Sequence, residues 1–313
     1  MDLTRLKPYL PGITLLILVA IVGTFDPNFL RPASMLGLAG DIVPLFIMAL
    51  GLTFAIYIGG IDLSAQSMAN MVTVIATAYL ATLGAWVAVV CVLCGFGLGL
   101  LSGYVTTRLF VPSFISTLAV GGVAISVSRW LSGDRALNMD AAQRDHLFGW
   151  MIGRTGIVPN ELFIAAALVA LCLFIERRTT LGRALKAVGA GELAAASSGI
   201  NVGQVKMLAF AISGALAAVA GLMFAVKLSG GAPAIANGFL LPAIVAVLVG
   251  GTPLTGGVGG VVNTVIGTLI VAVIRASMTY FEIDATQQQM VFGLVLIAAI
   301  ALTIDRAKLR TVK

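Results

Sequence analysis

The sequence predicts an all-α integral membrane protein with about ten transmembrane helices, including a short or re-entrant one. Of its 313 residues, 59% are hydrophobic and only 10% are charged, and the mean hydropathy is +1.07. A soluble domain usually carries about 25% charged residues, so this chain has too little polar surface to face water. The apolar residues also gather in long runs, and a spanning helix needs about 20 of them.

Ten runs fit a membrane span by this criterion. They cover residues 8–25, 35–58, 67–82, 85–107, 113–131, 161–176, 206–228, 238–250, 258–280 and 287–304. The eighth run is too short to cross comfortably, contains Pro242 and is bounded by glycine-rich breaks. We expect a half-helix or re-entrant element there, because such elements often line transport paths.

The distribution of basic residues predicts the orientation of the chain, since cytoplasmic connections carry an excess of lysine and arginine. With ten crossings and a cytoplasmic N-terminus, both termini are cytoplasmic and 132–160 is the longest outer loop. That loop has three arginines and three aspartates and therefore no net bias. The basic residues then on the inner side are Arg5, Lys7, Arg108, Arg177, Arg178, Arg183, Lys186, Lys206, Arg306, Lys308, Arg310 and Lys313.

Several classes of chemistry are absent from the sequence. There is no GxxxxGK[ST] phosphate loop, no HExxH and no GxSxG, so we expect no catalytic residue, no metal site and no enzymatic activity. The single histidine, His146, lies in a polar loop, and Cys91 and Cys94 lie within an apolar run. Despite a net charge of +6, no basic stripe with interleaved aromatic residues suggests nucleic-acid binding.

Ionisable residues in or near the predicted spans are few: Asp41, Arg129, Lys227 and Arg275, all near span ends. An ion-coupled transporter usually keeps a carboxylate near the membrane midplane. Asp41 is the only candidate, and it falls in the outer part of its span. Ion-coupled secondary transport of a small polar solute therefore stays open as the alternative function.

Small residues recur at four-residue spacing in two predicted spans. The set is Gly95, Gly99 and Gly103 in the fourth span, and Ser213, Ala217, Gly221 and Ala225 in the seventh. Such faces let helix backbones approach closely in lipid, so we assign them to helix packing.

Four motifs interrupt the apolar runs. The first is GGIDLS at 59–64, and the second is PSFISTL at 112–118, which opens the fifth span. The third is GRALKAVG at 182–189, continued through 192–202, in a segment expected to form short amphipathic helices punctuated by glycines. The fourth is GGTPLTGGVGG at 250–260, followed by Gly267, QQQ at 287–289 and Gly293.

In this order and spacing, the motifs resemble those of the permease subunits of bacterial ABC importers for monosaccharides, a family that includes ribose, galactose and xylose permeases. The resemblance implies one transmembrane permease domain over 1–313 that carries a monosaccharide or related polyol by alternating access. It implies a location in the bacterial inner membrane and a second permease, identical or different. A cytoplasmic ATPase would hold the ATP and magnesium, a periplasmic sugar-binding protein would dock above, and this chain would bind no cofactor.

The resemblance also assigns roles to residues. The third motif is similar to the loop, here about 177–205, that seats a short helix in a groove of the ATPase, which implies contacts from Gly182, Ala187, Gly189, Glu192, Ala194, Ala195 and Gly199. The first two motifs place Gly60, Asp62, Ser64, Phe114 and Thr117 near the translocation pathway. By their residue types alone, Asp62 and Ser64 fit helix caps equally well.

Overall fold

The computed structural model describes residues 9–303, which form a helical bundle. Its first half comprises α1 (Leu10–Phe25), a 3-10 turn (Pro27–Leu30), α2 (Pro32–Asp41), α3 (Val43–Tyr57), α4 (Ala65–Leu83), α5 (Trp86–Arg108), α6 (Ser113–Ser132) and α7 (Ala141–Ile152). Its second half comprises α8 (Glu161–Arg178), α9 (Thr180–Ala190), α10 (Glu192–Ser197), α11 (Val202–Leu228), α12 (Leu240–Val249), α13 (Val261–Tyr280) and α14 (Ala285–Thr303). Two short antiparallel pairs join β1 (Leu137–Asn138) to β4 (Gly230–Gly231) and β2 (Arg154–Thr155) to β3 (Val158–Pro159).

Each of the ten predicted apolar runs coincides with helical structure. Within the described residues, four helices are long and apolar enough to cross a membrane: α5, α6, α11 and α13. The bent pair α2–α3 makes a fifth candidate if it counts as one span, and α1, α12 and most of α14 are shorter apolar helices. The count of about ten crossings therefore stays a prediction.

The predicted second span, 35–58, forms two helices rather than one. Its two parts, α2 and α3, meet at an angle of 54°. Pro44 explains the break, because proline lacks the N–H that would bond Gly40 four residues earlier and its ring crowds that carbonyl. The Gly40 carbonyl instead accepts from Lys227 Nζ at 3.4 Å.

The small-residue faces do pack helices, as predicted. A Cβ added to Gly95 or Gly99 of α5 would overlap backbone of α11 at Gly214 or Phe210. On another face of α11, a Cβ at Gly221 would overlap the Ala69 carbonyl of α4. α11 is thus the central helix of the bundle, and its backbone contacts the backbones of α5 and α4 on two different faces.

The connections gather at two ends of the bundle. One end, here called the α9–α10 end, holds residues 58–64, 109–112, 179–201 and 250–260. The opposite end holds 132–160, where α7 and the β2–β3 pair form, and where Glu161 meets Lys227 at 2.9 Å. The terminal basic residues used for the orientation (Arg5, Lys7, Arg306, Lys308, Arg310 and Lys313) lie outside the described residues.

The predicted short element is present as α12, whose 10 residues reach only about 15 Å. Pro242 is its third residue, where a missing N–H is tolerated. The preceding segment, 229–239, contains no helix. It includes the short strand β4 and runs back along α4.

Candidate functional site

The GGIDLS motif forms an extended segment between α3 and α4 that lies along the first turns of α6. The Ile61 amide donates to Ser113 Oγ at 3.1 Å, and the Leu63 amide donates to Thr117 Oγ1 at 3.1 Å. Because the side chains of α6 satisfy these peptide groups, the segment can stay extended inside the bundle without a helical partner. Thr117 is fully buried in this role.

Asp62 is the centre of this segment and is only 2% exposed. Its Oδ1 accepts from the Ser64 amide at 2.9 Å and from Ser64 Oγ at 2.5 Å, and its Oδ2 accepts from Ser213 Oγ of α11 at 2.6 Å. The Ser64 side chain itself does not cap α4. Asp62 therefore folds the local turn and ties it to α11.

The two remaining residues assigned to the pathway lie differently. Gly60 is buried, and a Cβ there would meet the Phe210 ring at 2.9 Å. Phe114 is 46% exposed. The structure thus brings Gly60, Asp62, Ser64 and Thr117 together and leaves Phe114 outside that group.

A cavity of about 270 Å³ opens beside the extended segment at the α9–α10 end. Its lining includes Gly60, Ser113 and the ion pair between Glu192 and Lys206. The cavity joins the first three sequence motifs at one place. Among the described residues, no group of His, Cys, Asp or Glu could hold a metal ion.

The third motif forms two short helices, α9 and α10, as predicted. Gly191 separates them and Gly199, with a φ of +81°, follows α10. Gly182 and Gly189, expected to punctuate helices, instead lie inside α9. Both face inward: a Cβ at Gly182 would overlap the Glu176 carbonyl, and one at Gly189 would overlap the Tyr57 carbonyl and the Gly257 amide.

The outward face of the pair is formed mainly by α10. Leu193, the second residue of α10, is 87% exposed. Of the residues assigned to a partner contact, Glu192, Ala194 and Gly199 are exposed, Ala187 is half-buried and Ala195 is buried. The assigned set therefore divides into an outward group and an inward group.

Glu176, near the end of α8, is a buried carboxylate whose partners the sequence reasoning missed. Its carboxylate is 6% exposed, pairs with Lys186 of α9 at 2.9 Å and accepts from the Val261 amide of α13 at 3.0 Å. An acceptor at the start of a helix satisfies an otherwise unpaired N–H and favours the helix dipole. The sequence did contain a signal for this residue, because a carboxylate at the end of an apolar run needs a partner if it is buried.

Tyr57 completes this junction at the end of α3. Its hydroxyl donates to the Gly259 carbonyl at 3.1 Å, and its own carbonyl accepts from the Gly257 amide at 2.9 Å. Gly257 has a φ of +76°, which favours glycine. α3, α8, α9 and the start of α13 therefore meet in one hydrogen-bonded junction, here called the coupling junction: Tyr57, Glu176, Lys186, Gly189, Gly257 and Val261.

Asp41, the only candidate for ion coupling from the sequence, lies at the end of α2 with its side chain 82% exposed and 3.4 Å from Lys227 Nζ. The buried carboxylates are instead Asp62, Glu161 and Glu176. Glu161 and Glu176 pair with lysines, whereas Asp62 accepts hydrogen bonds from two hydroxyls and one amide and has no cation partner among the described residues.

Comparison with known proteins gives consistent matches along the chain. The ribose import permease protein RbsC of Escherichia coli (strain K12) is 32% identical over 291 residues, which is 92% of this chain and 91% of that protein. RbsC of Bacillus subtilis (strain 168) is 31% identical over 305 residues, 95% of this chain and 92% of the relative. The xylose transport system permease protein XylH of Haemophilus influenzae is 38% identical over 143 residues, 46% of this chain and 38% of that protein.

No solved structure matches the chain significantly. The family model described as "branched-chain amino acid transport system / permease component" matches residues 34–300. That range contains the extended segment, the α9–α10 pair and the coupling junction. The chain belongs to this family of permease components, and it is a transport subunit by membership rather than an enzyme.

Proposed function

We propose that the chain is the membrane-spanning permease subunit of an ABC importer that carries a monosaccharide or a related polyol across the bacterial inner membrane. The α9–α10 pair carries this proposal, because it combines an exposed apolar tip with an inner face locked to the bundle. A partner that displaces such a pair also displaces the membrane spans to which its inner face is bound. The solute class is proposed from the ribose import permeases that match along nearly the whole chain.

The partner at the tip is an ATPase, which holds the ATP and magnesium. Leu193 supplies an apolar anchor, flanked by the small residues Ala194 and Gly199, which allow close approach. Burying a leucine side chain contributes about 1.5–3 kcal/mol. The inward-facing Gly182 and Gly189 serve this contact indirectly, by holding α9 against the bundle.

The force enters the bundle through the coupling junction. Lys186 and Gly189 of α9 touch Glu176 and Tyr57, and these hold the start of α13 and the 250–260 turn. Displacement of α9 therefore acts on the ends of α3, α8 and α13 together. Motion there changes access to the path between the spans.

In the proposed orientation, the α9–α10 end is cytoplasmic and the 132–160 loop is periplasmic. Five basic residues lie at the α9–α10 end: Arg177, Arg178, Arg183, Lys186 and Lys206. This agrees with the excess of lysine and arginine that cytoplasmic connections carry. A periplasmic sugar-binding protein docks at the opposite end, and a second permease, identical or related, completes the path.

Reconstitution tests this function directly. Proteoliposomes that contain the chain, its ATPase and the binding protein should take up labelled ribose or xylose only with ATP and the binding protein, and the purified chain alone should hydrolyse no ATP. Uptake driven by a proton or sodium gradient without ATP, and lost in Asp41→Asn, would instead establish ion-coupled transport.

The ATPase contact has its own test in Leu193→Arg. We expect co-purification of the ATPase to fall by about tenfold or more, since the lost burial exceeds the 1.4 kcal/mol that corresponds to tenfold. Leu193→Met keeps the apolar volume and should leave association nearly unchanged. The thermal unfolding midpoint of the isolated chain should stay the same in both, because Leu193 is 87% exposed. Equal ATPase recovery from both variants would contradict this docking surface.

A further inference from the structure

The segment 229–239 lies at an unusual depth for non-helical backbone. The Asn70 side chain accepts from the Ala236 amide at 2.6 Å, and Thr73 Oγ1 accepts from the Ala232 amide at 3.2 Å. Asn70 and Thr73 are five and eight residues past the start of the 19-residue α4, which places them about 8 Å and 12 Å along a helix of about 28 Å. The segment is therefore inside the bundle, away from both ends of α4.

Part of this segment is nevertheless uncovered. Ala234, Asn237 and Gly238 are exposed on the surface of the chain. In hydrocarbon, each unsatisfied peptide group costs several kcal/mol, so irregular backbone at membrane depth occurs only where it is buried in protein or lines a water-filled cavity. The exposed face of 229–239 therefore does not face lipid.

Two polar side chains converge on this face with free hydrogen-bonding groups. Asn237 Oδ1 accepts from Asn70 Nδ2 at 2.8 Å, which leaves the amide nitrogen of Asn237 without a partner among residues 9–303. Gln289 of α14 donates through Nε2 to the Gly238 carbonyl at 2.9 Å, and its Oε1 has no partner in the described part of the chain. One group is a donor and the other an acceptor.

Arg275 of α13 brings a cation to Phe239, at the end of this segment. The guanidinium of Arg275 lies 4.7 Å from the centre of the Phe239 ring, and within the described part of the chain it has no carboxylate partner. Arg275 is fourteen residues into the 20-residue α13, a candidate membrane span. An ionisable residue within a span faces the bundle interior or a water-filled cavity and marks a solute or ion pathway by default.

We propose that Asn237, Arg275 and Gln289, together with the exposed backbone of 229–239, form a polar wall of the solute path and bind hydroxyl groups of the passing solute. A hydroxyl both donates and accepts. The amide nitrogen of Asn237 and the guanidinium of Arg275 donate hydrogen bonds to its oxygen, and Gln289 Oε1 accepts a hydrogen bond from its O–H group. This assignment rests on the proposed function, since it names the groups that a polyhydroxylated solute meets within the membrane.

Thiol labelling tests the water-filled path without any solute. In a chain with Cys91, Cys94 and Cys172 replaced by alanine, Asn237→Cys should react with charged methanethiosulfonate reagents in membranes that contain the assembled complex. Asn237→Cys should react about tenfold faster or more than Val123→Cys, because charged reagents do not enter hydrocarbon. Val123 is 50% exposed in the middle of α6, a candidate span. Equal rates, as lipid exposure or cover by a second permease would give, overturn the proposal.

The charge of the thiol reagent tests whether Arg275 lies beside the solute path. An unpaired cation nearby should make Asn237→Cys react faster with the anionic sulfonatoethyl reagent than with the cationic trimethylammonium reagent, relative to small free thiols. Adding Arg275→Gln should abolish that preference. A preference that survives Arg275→Gln would place the guanidinium outside the path.

Uptake of ribose and xylose by the reconstituted complex tests the hydroxyl contacts. Arg275→Leu removes every donor and should lower uptake by about tenfold, whereas Arg275→Gln keeps an amide donor and should retain more of it. Equal loss in both variants would indicate that charge is required and would overturn hydroxyl binding by Arg275. If the unaltered complex carries neither sugar with ATP, the proposed function fails, whatever the labelling result.

Discussion

Gly189→Ala should strongly destabilise the chain. Its Cβ would overlap the Tyr57 carbonyl and the Gly257 amide, and both are backbone groups that cannot rotate away. Alanine gains about 1 kcal/mol over glycine inside a helix. Overpacking typically costs about 1–3 kcal/mol and more when backbone must move, so we expect a net loss, a lower thermal unfolding midpoint in detergent and weaker ATPase association.

Gly191→Ala is the matched control for this substitution. Gly191 lies two residues further on, has a φ of 173°, which any residue adopts, and a Cβ there would approach nothing closer than Ala194 Cβ at 3.9 Å. Its unfolding midpoint and ATPase association should stay close to those of the unaltered chain. Equal midpoints for the two variants would show that α9 does not hold the close contact with Tyr57 and Gly257.

Glu176→Leu should produce the second large effect. It leaves the Val261 amide without its acceptor and removes the partner of Lys186. Breaking a buried ion pair costs about 3–5 kcal/mol. Lys186 is 42% exposed and can return to water, so we expect a loss smaller than that range, about 2–3 kcal/mol.

Two variants show which contact matters in Glu176→Leu. Glu176→Gln keeps an oxygen that can accept from Val261 but loses the charge, and its unfolding midpoint should fall between those of the unaltered chain and the leucine variant. Glu192→Gln breaks an ion pair whose carboxylate is 52% exposed, which should cost less than about 1 kcal/mol. If Glu192→Gln lowers the midpoint as much as Glu176→Leu, burial is not the cause.

Local patterns predicted much of this structure. Glycine spacing identified the close-packed face of α5, and the polar segment after Glu176 predicted the short helices α9 and α10. The length of the run after Gly238 predicted the short α12. Each of these features depends on residues within one or two helical turns, so the sequence order contains them directly.

Features that join distant parts of the chain were not predictable in this way. The contact of Asp62 with Ser213 spans 151 residues, and that of Glu176 with Val261 spans 85. The side chains involved are ordinary in their local sequence, and only the packing of α11 and α13 gives them partners. Glu176 was predicted only as the last residue of the sixth apolar run, without its partners. The break in the run 35–58 had a local signal in Pro44, which the prediction of one span did not use.

The glycine contacts between α5 and α11 limit how the protein can move. Backbones that touch at Gly95, Gly99 and Gly214 cannot slide by a residue without collision, since packed helices shift between discrete arrangements rather than continuously. We therefore expect the two helices to move together as one rigid body. Conformational freedom is left to the broken elements, namely the bend at Pro44, the extended segment before α4 and the non-helical stretch before α12.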